Sequence, residues 1–205
     1  RMPLKDLHRI FEMQWREIAE DNADIRYAQG KDFQFYLHQG IDMLTVWYNK
    51  AADDDSFRVL SVEEAFEFTL PDLPIPIIGA MDLVEEDDSG AVIITDWKTA
   101  GRAYGYDEVN RNPQVTLYQL AAKANGFSDR EILLRFDCLL KTQKPRFEQY
   151  YSIRTEVEER RLIRKIKAVW EGISSGVFIP NDTSWRCPNC HYRQACDQWF
   201  LEGGD

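Results

Sequence analysis

The chain has 205 residues, 44% of them hydrophobic and 29% charged, with a formal net charge of −10. That length suits one domain, or one plus a small appendage, with a real core, and no apolar run approaches the roughly 18 residues a membrane span requires. No signal peptide is visible, so a globular cytoplasmic protein is expected, and the negative charge argues at first against a polyanionic partner.

The chain opens Arg1-Met2-Pro3, which is not a native start and points to a fragment or processed product. Leu4, Leu7, Ile10, Phe11, Trp15 and Ile18 recur at helical spacing, as do Phe33, Tyr36, Leu37, Gly40, Ile41, Leu44, Trp47 and Tyr48, so two amphipathic helices come first. Their aromatic stripes are expected in the core, with His8 and His38 as ordinary surface or packing residues. Asp53-Asp54-Asp55 reads as a solvated loop, and so does the acidic run 85–88. Residues 57–70 read as a strand containing Glu63, ended by Pro71, Pro74 and Pro76.

The most informative stretch follows. Ile77 and Ile78 lead into Gly79-Ala80-Met81-Asp82, and Val92-Ile93-Ile94-Thr95 leads into Asp96-Trp97-Lys98. Such continuous apolar runs suit central strands covered on both faces. A polar stretch over 85–90, ending in Gly90, reads as a hairpin connection that brings Asp82 alongside Asp96. Strand alternation puts Asp96 and Lys98 on one face, Thr95 and Trp97 on the other. Two adjacent carboxylates repel, and a divalent cation with hard oxygen ligands relieves this. A metal-dependent nuclease is therefore expected, with an exposed Asp/Lys ion pair as the plain alternative.

A loop over 99–111 precedes a helix over 114–125, with Asn112 as N-cap, Pro113 at the first position and Gly126 beyond the far end. Gln114 and Tyr118 are four apart and share one helix face. Strands over 131–141 and 147–153 come next, joined by a turn whose Lys144 and Arg146 read as solubilising it in preference to touching a backbone phosphate. Thr155-Glu156-Val157-Glu158 is a capping box that opens a long helix with Leu162, Ile163, Ile166, Val169, Trp170 and Ile173 inward. From Arg154 to Lys167 six basic residues face three acidic ones, so the outward face of this helix is a candidate contact for a DNA backbone, balanced by its reading as a solvated face. Cys138 lies in a strand and reads as a small buried hydrophobe. Cys187-x2-Cys190-x5-Cys196 sits in a short loop-like tail, which is a ligand arrangement rather than core packing.

In combination these words resemble the RecB-like nucleases of the PD-(D/E)XK superfamily, including phage and CRISPR-adaptation relatives. Gly79-Ala80-Met81-Asp82 is similar to the family's G-x-x-D strand, Asp96-Trp97-Lys98-Thr99 to its D-x-K-T, Gln114 to Tyr118 to its Q-x-x-x-Y helix, and Ser61-Val62-Glu63 to the acidic strand before them. The tail from Trp185 to Cys196 resembles the cysteine run of iron–sulfur members. Order and spacing agree from about residue 57 to 197; any one motif alone is weak.

The resemblance implies an α/β fold, a central mixed sheet flanked by helices like the restriction-endonuclease core, with a C-terminal cysteine-bearing cap. Residues 1–180 would form the core with its N-terminal helices and 181–205 the cysteine segment. The implied activity is hydrolysis of DNA, with Mg²⁺ or Mn²⁺ held by Asp82, Asp96 and the Trp97 carbonyl. Lys98 would position or activate the nucleophile, Gln114 and Tyr118 would orient phosphate or brace Lys98, and Glu63 would be a further ligand or a supporting group. The substrate would be single-stranded DNA or DNA with free ends, with a helicase or recombination partner and no membrane. Relatives carry an upstream G-x-x-x-H helix that supplies a metal-ligating His and, before it, a lone Cys that completes a [4Fe–4S] cluster; neither is found here. Cys187, Cys190 and Cys196 would supply three of the four thiolates, with zinc completed by His191 as the alternative. The rival function is a non-catalytic DNA-binding or zinc-stabilised interaction module on the same fold.

Overall fold

A computed structural model describes residues 2–51 and 56–202. The acidic triplet Asp53-Asp54-Asp55 and residue Arg1 lie outside the described residues. The chain divides into two units, 1–162 and 163–205. No helix among the described residues is long and apolar enough to cross a membrane.

The first unit carries a five-stranded mixed sheet in the order β1-β2-β3-β4-β5, made of β1 (Phe57–Phe68), β2 (Ile77–Asp87), β3 (Val92–Ala100), β4 (Ile132–Leu140) and β5 (Arg146–Ser152). All neighbours are antiparallel except β3 and β4. A parallel pair needs a crossover, and the short α3 (Tyr106–Asn110) and α4 (Pro113–Ala122) supply it. Two N-terminal helices, α1 (Leu4–Ala19) and α2 (Phe33–Ala51), complete the layers. This is the expected α/β architecture.

The core follows the apolar runs. Val92, Ile93, Ile94, Leu134, Phe136 and Leu140 are fully buried, each such side chain contributing about 1.5–3 kcal/mol relative to exposure. The first half of β2 differs from expectation. It pairs only with β1, and Ile78 is 70% exposed, so covering on both faces holds for β3 and not for the start of β2.

The acidic run after Asp82 is also not a solvated loop. Glu85, Glu86 and Asp87 close β2. Glu85 is buried and meets Arg135 at 2.6 Å, and Arg135 in turn meets Asp137 at 3.0 Å. Glu86 pairs with Arg130 at 2.8 Å and with Arg58. Only residues 88–91 turn the chain, with Asp87 Oδ1 accepting from the amides of Ser89 and Ala91 at 2.9 and 3.0 Å. Buried charges must be paired, and the partners here come from β1, β4 and the segment before β4, none of them near in sequence.

Helix α4 starts where its sequence signals place it. Asn112 Oδ1 accepts the amide of Gln114 at 2.9 Å, Pro113 occupies the first turn, and Gly126 ends the following π-turn (Lys123–Phe127) at φ 102°. α1 packs on α2, with the ring of Phe11 lying over Gly40 so closely that a Cβ there would sit 2.2 Å from it. His8 Nε2 lies 2.9 Å from Thr45 Oγ1, and His38 Nδ1 lies 2.7 Å from the carbonyl of Gln34. Both histidines are thus used locally within the helical layer.

Helix α5 (Glu156–Ser174) opens on the capping box: Thr155 Oγ1 accepts from the Val157 amide at 3.2 Å and Glu158 reaches back to the Thr155 amide at 2.9 Å. The division between units falls within this helix. The second unit holds its remainder, a single 3₁₀ turn at Cys187–Asn189 and α6 (Arg193–Glu202).

Candidate active site

β2 and β3 are hydrogen-bonded only from Glu86/Val92 to Leu83/Thr95. Beyond that rung they part, while β3 continues along β4 as far as Ala100/Leu140. The next residue of β2 is Asp82, whose carboxylate enters the fork and accepts the Trp97 amide at 2.8 Å. A strand residue's N–H and C=O point to the same side, so the Trp97 carbonyl also faces the fork. Asp82 uses one oxygen on this bond and keeps the other.

Asp96, one residue back on β3, is 2% exposed. Its Oδ1 accepts from Gln114 Nε2 at 2.7 Å and from the Tyr118 hydroxyl at 3.0 Å. Its Oδ2 is buried and meets the Lys98 ammonium at 2.5 Å in an ion pair. Burial pushes the Asp96 carboxyl above the usual range, and Asp82 adds to this, while Lys98 and Tyr118 pull it back.

Gln114 joins the two charges. Its Oε1 accepts from Lys98 Nζ at 3.1 Å while its Nε2 serves both Asp96 and the Tyr118 oxygen, the latter at 2.7 Å. The spacing of four residues on α4 stacks Gln114 over Tyr118 one turn apart, and the Asn112 cap sets where that turn begins. Burial and the nearby carboxylates hold the Tyr118 phenol protonated, so it donates to Asp96. Its ring meets Phe66 edge-on at 6.2 Å, and Phe66 lies over Gly79, its register partner on β2. A Cβ at Gly79 would come within 2.5 Å of that ring. The glycine of the G-x-x-D word therefore makes room for the ring that supports Tyr118.

The structure thus brings Asp82, Asp96, Trp97, Lys98, Gln114 and Tyr118 together. Glu63 stands opposite Asp82 by the β1–β2 register but is exposed, and its backbone is left-handed at φ 51°, a conformation that costs a non-glycine residue about 1–3 kcal/mol. It is not bonded into the cluster. Among the described residues no three of His, Cys, Asp and Glu are gathered so as to hold a metal ion, which applies to Glu63 with the two aspartates and to the tail cysteines alike. Cys187, Cys190 and Cys196 are free thiols, Cys187 Sγ lying 3.4 Å from the Asn181 carbonyl.

One residue beside the site was not legible as such. Arg154 falls in the basic run read as an outward DNA contact, yet it is 8% exposed. Its guanidinium donates to the carbonyls of Val109 at 2.9 Å and Asn112 at 3.2 Å, to Thr116 Oγ1 at 2.7 Å, and to Ser152 Oγ. It ties the start of α4, and with it Gln114, to the end of β5. No local sequence signal separates it from its exposed neighbours.

The donor set suits a hard divalent cation: two carboxylates on adjoining strands, Asp82 with one oxygen beyond its bond to the Trp97 amide, and a backbone carbonyl facing the same fork. The tail does not suit an iron–sulfur cluster as it stands, since three ungathered thiols cannot provide four ligands.

The profile of the PD-(D/E)XK nuclease superfamily matches residues 3–197. No curated protein matches the chain. Among solved structures, a "putative exonuclease" from Eubacterium rectale superimposes with a TM-score of 0.55 over 100% of this chain and 81% of its own, at 12% identity, which shows a shared fold. A protein named SSO0001 is 17% identical, with a TM-score of 0.43 over 94% of this chain and 81% of its own.

Proposed function

Because the chain belongs to the PD-(D/E)XK nuclease superfamily, we propose that it is a Mg²⁺- or Mn²⁺-dependent deoxyribonuclease of the RecB-like kind, acting on DNA ends as an exonuclease. The observation that carries this reading is the fork itself. Asp82 and Asp96 come from different strands just beyond their last paired rung, one bonded to the Trp97 amide and the other paired with Lys98.

When bound, a divalent cation would lower the pKa of a water and neutralise charge developing on the phosphate. Asp82, Asp96 and the Trp97 carbonyl would hold it. Lys98, held between Asp96 and Gln114, would orient the attacking water or the phosphate oxygen. Gln114 and Tyr118 would fix Asp96 in one rotamer, so that the pair need not reorganise during reaction. The cysteine run supports an iron–sulfur or zinc site only through its resemblance to that of other members, and no step depends on it.

The test is a manganese titration with a 5′- or 3′-labelled single-stranded oligonucleotide, comparing the wild type with Asp96→Asn. The substitution keeps size and removes charge. Hydrolysis should fall at least about a hundredfold, more than the loss of a supporting partner costs, while the folded protein persists. Equal hydrolysis by the variant, or none by the wild type at any manganese concentration, would refute the reading.

A further inference from the structure

On the same sheet face as Asp96 and Lys98, the register continues outward through Phe136 and Cys138 on β4 to Tyr150 and Glu148 on β5. Lys98 Nζ lies 5.6 Å from the centre of the Phe136 ring. The Tyr104 ring is 5.7 Å from Phe136 and 5.9 Å from Tyr150, and the Tyr104 amide donates to the Tyr150 hydroxyl at 3.2 Å. The fully buried Phe136 with Tyr104 and Tyr150 thus forms an aromatic cluster that packs between Lys98 and the edge strand. At that edge lies a groove of about 470 Å³ that wraps around β5, lined by Tyr106, Asn110 and Tyr150 on the Asp96 face and by Leu133, Tyr151 and Ile153 on the opposite one. Tyr106 is 82% exposed and Tyr151 49%.

The loop that carries two of these rings is held in place. Glu108 accepts from both terminal nitrogens of Arg102, at 2.7 and 2.6 Å, and from the Gly105 amide at 2.7 Å, which keeps its carboxyl down at about 2. Ser152 and Asn110 join the helix after the loop to β5 at 2.7 Å.

The surrounding charges cancel. Arg102 faces Glu108, Arg111 faces Asp107 and Arg146 faces Glu148. Such a surface offers a polyanion little net attraction, so phosphate contacts alone would not retain a strand here. Aromatic faces do retain unpaired bases whatever their sequence, whereas paired bases present no free faces.

Resting on the nuclease reading above, we infer that the edge groove lined by Tyr106, Tyr150 and Tyr151 binds unpaired nucleobases of the DNA strand whose phosphate lies at Asp96 and Lys98. The β5 edge is two strand spacings from β3, roughly 10 Å, close enough for bases adjoining the scissile phosphate. The substrate class is accordingly single-stranded DNA, or a duplex end that has frayed.

The experiment measures fluorescence anisotropy of the full chain in EDTA, where no metal-dependent cleavage proceeds. The probes are an oligothymidylate of about 12 nucleotides, an abasic strand of equal length, and a blunt duplex. The wild type should bind oligothymidylate about fivefold or more tighter than the abasic strand, as stacking of one base implies. Tyr106→Ala should lose most of that difference and Tyr106→Phe, which keeps the ring, should retain it. Because paired charges release few counterions, affinity should fall only shallowly with salt. Equal affinity for base-bearing and abasic strands, tighter binding of the duplex, or no loss in Tyr106→Ala would overturn the inference. Manganese-dependent hydrolysis of bis(p-nitrophenyl) phosphate, a diester without a base, is followed separately in the wild type. Its absence would sink the nuclease reading and leave the base-binding result standing.

Discussion

The Asp82 carboxylate accepts the Trp97 amide at 2.8 Å, one residue beyond the last paired rung of β2 and β3. A side chain here takes over a ladder bond that the diverging backbone no longer makes. The same carboxylate then has a structural duty and a free oxygen, and substitution can separate the two. Asp82→Asn keeps an acceptor for the Trp97 amide but loses the charge, so manganese-dependent hydrolysis should fall at least about a hundredfold with little change in melting temperature. Asp82→Ala removes the acceptor as well and should cost about 1.5–3 kcal/mol in urea unfolding, the worth of a bond to a charged group. Equal stability of the two variants would show that the bond contributes nothing to the fork.

The acid limb of the reaction should report Asp96. Its pKa is raised by burial and pulled back by Lys98 and by the Tyr118 hydroxyl. Tyr118→Phe removes one lowering contribution while leaving the ring against Phe66, so the acid limb of the pH–rate profile should move to higher pH. A shift to lower pH, or none, would contradict the assignment.

The same raised pKa has a thermodynamic sign. In metal-free protein the contribution of Asp96 to stability is present below its unfolded-state pKa and is lost as pH rises through its folded-state value. Thermal melts in EDTA should therefore show Asp96→Asn gaining on the wild type as pH rises through that window. Added manganese should raise the melting temperature of the wild type and not of the variant.

Arg154 should act on stability and activity together. Its removal leaves the carbonyls of Val109 and Asn112 and the hydroxyls of Thr116 and Ser152 without their buried donor. Arg154→Met, which keeps much of the volume, should cost about 3 kcal/mol by urea unfolding and lower hydrolysis by loosening the start of α4 under Gln114. A surface DNA contact would instead weaken strand binding with stability unchanged.

Thiol reactivity should distinguish the cysteines. Cys138 is fully buried and its thiol is pushed up to about 12 by burial and by Asp137. In native protein it should resist Ellman's reagent until denaturant is added. Cys187, Cys190 and Cys196 should react promptly in metal-free protein, and slow down with zinc or iron only where the tail gathers around the metal. Rapid reaction of all four would show that β4 opens readily.

Much was readable along the chain because its causes are local. The N-cap, proline and glycine around α4 act within a few residues, and Gln114 and Tyr118 share a face because a helix repeats every 3.6 residues. Strand alternation likewise put Asp96 and Lys98 together, and the apolar run of β3 matched its burial on both faces. What only the tertiary structure decided depends on partners far away in the chain. The extent of β2–β3 pairing, and so the fork that Asp82 fills, goes with β2 continuing along β1 and β3 along β4 beyond the last shared rung. Glu85 left the solvated run because Arg135, fifty residues on, meets it in the interior. Arg154 and Glu156 are nearly adjacent charges in sequence, yet one is buried under α4 and the other exposed. Composition prescribes how many charges a chain carries; long-range packing selects which few are desolvated, because a buried charge persists only where distant segments converge to pair it.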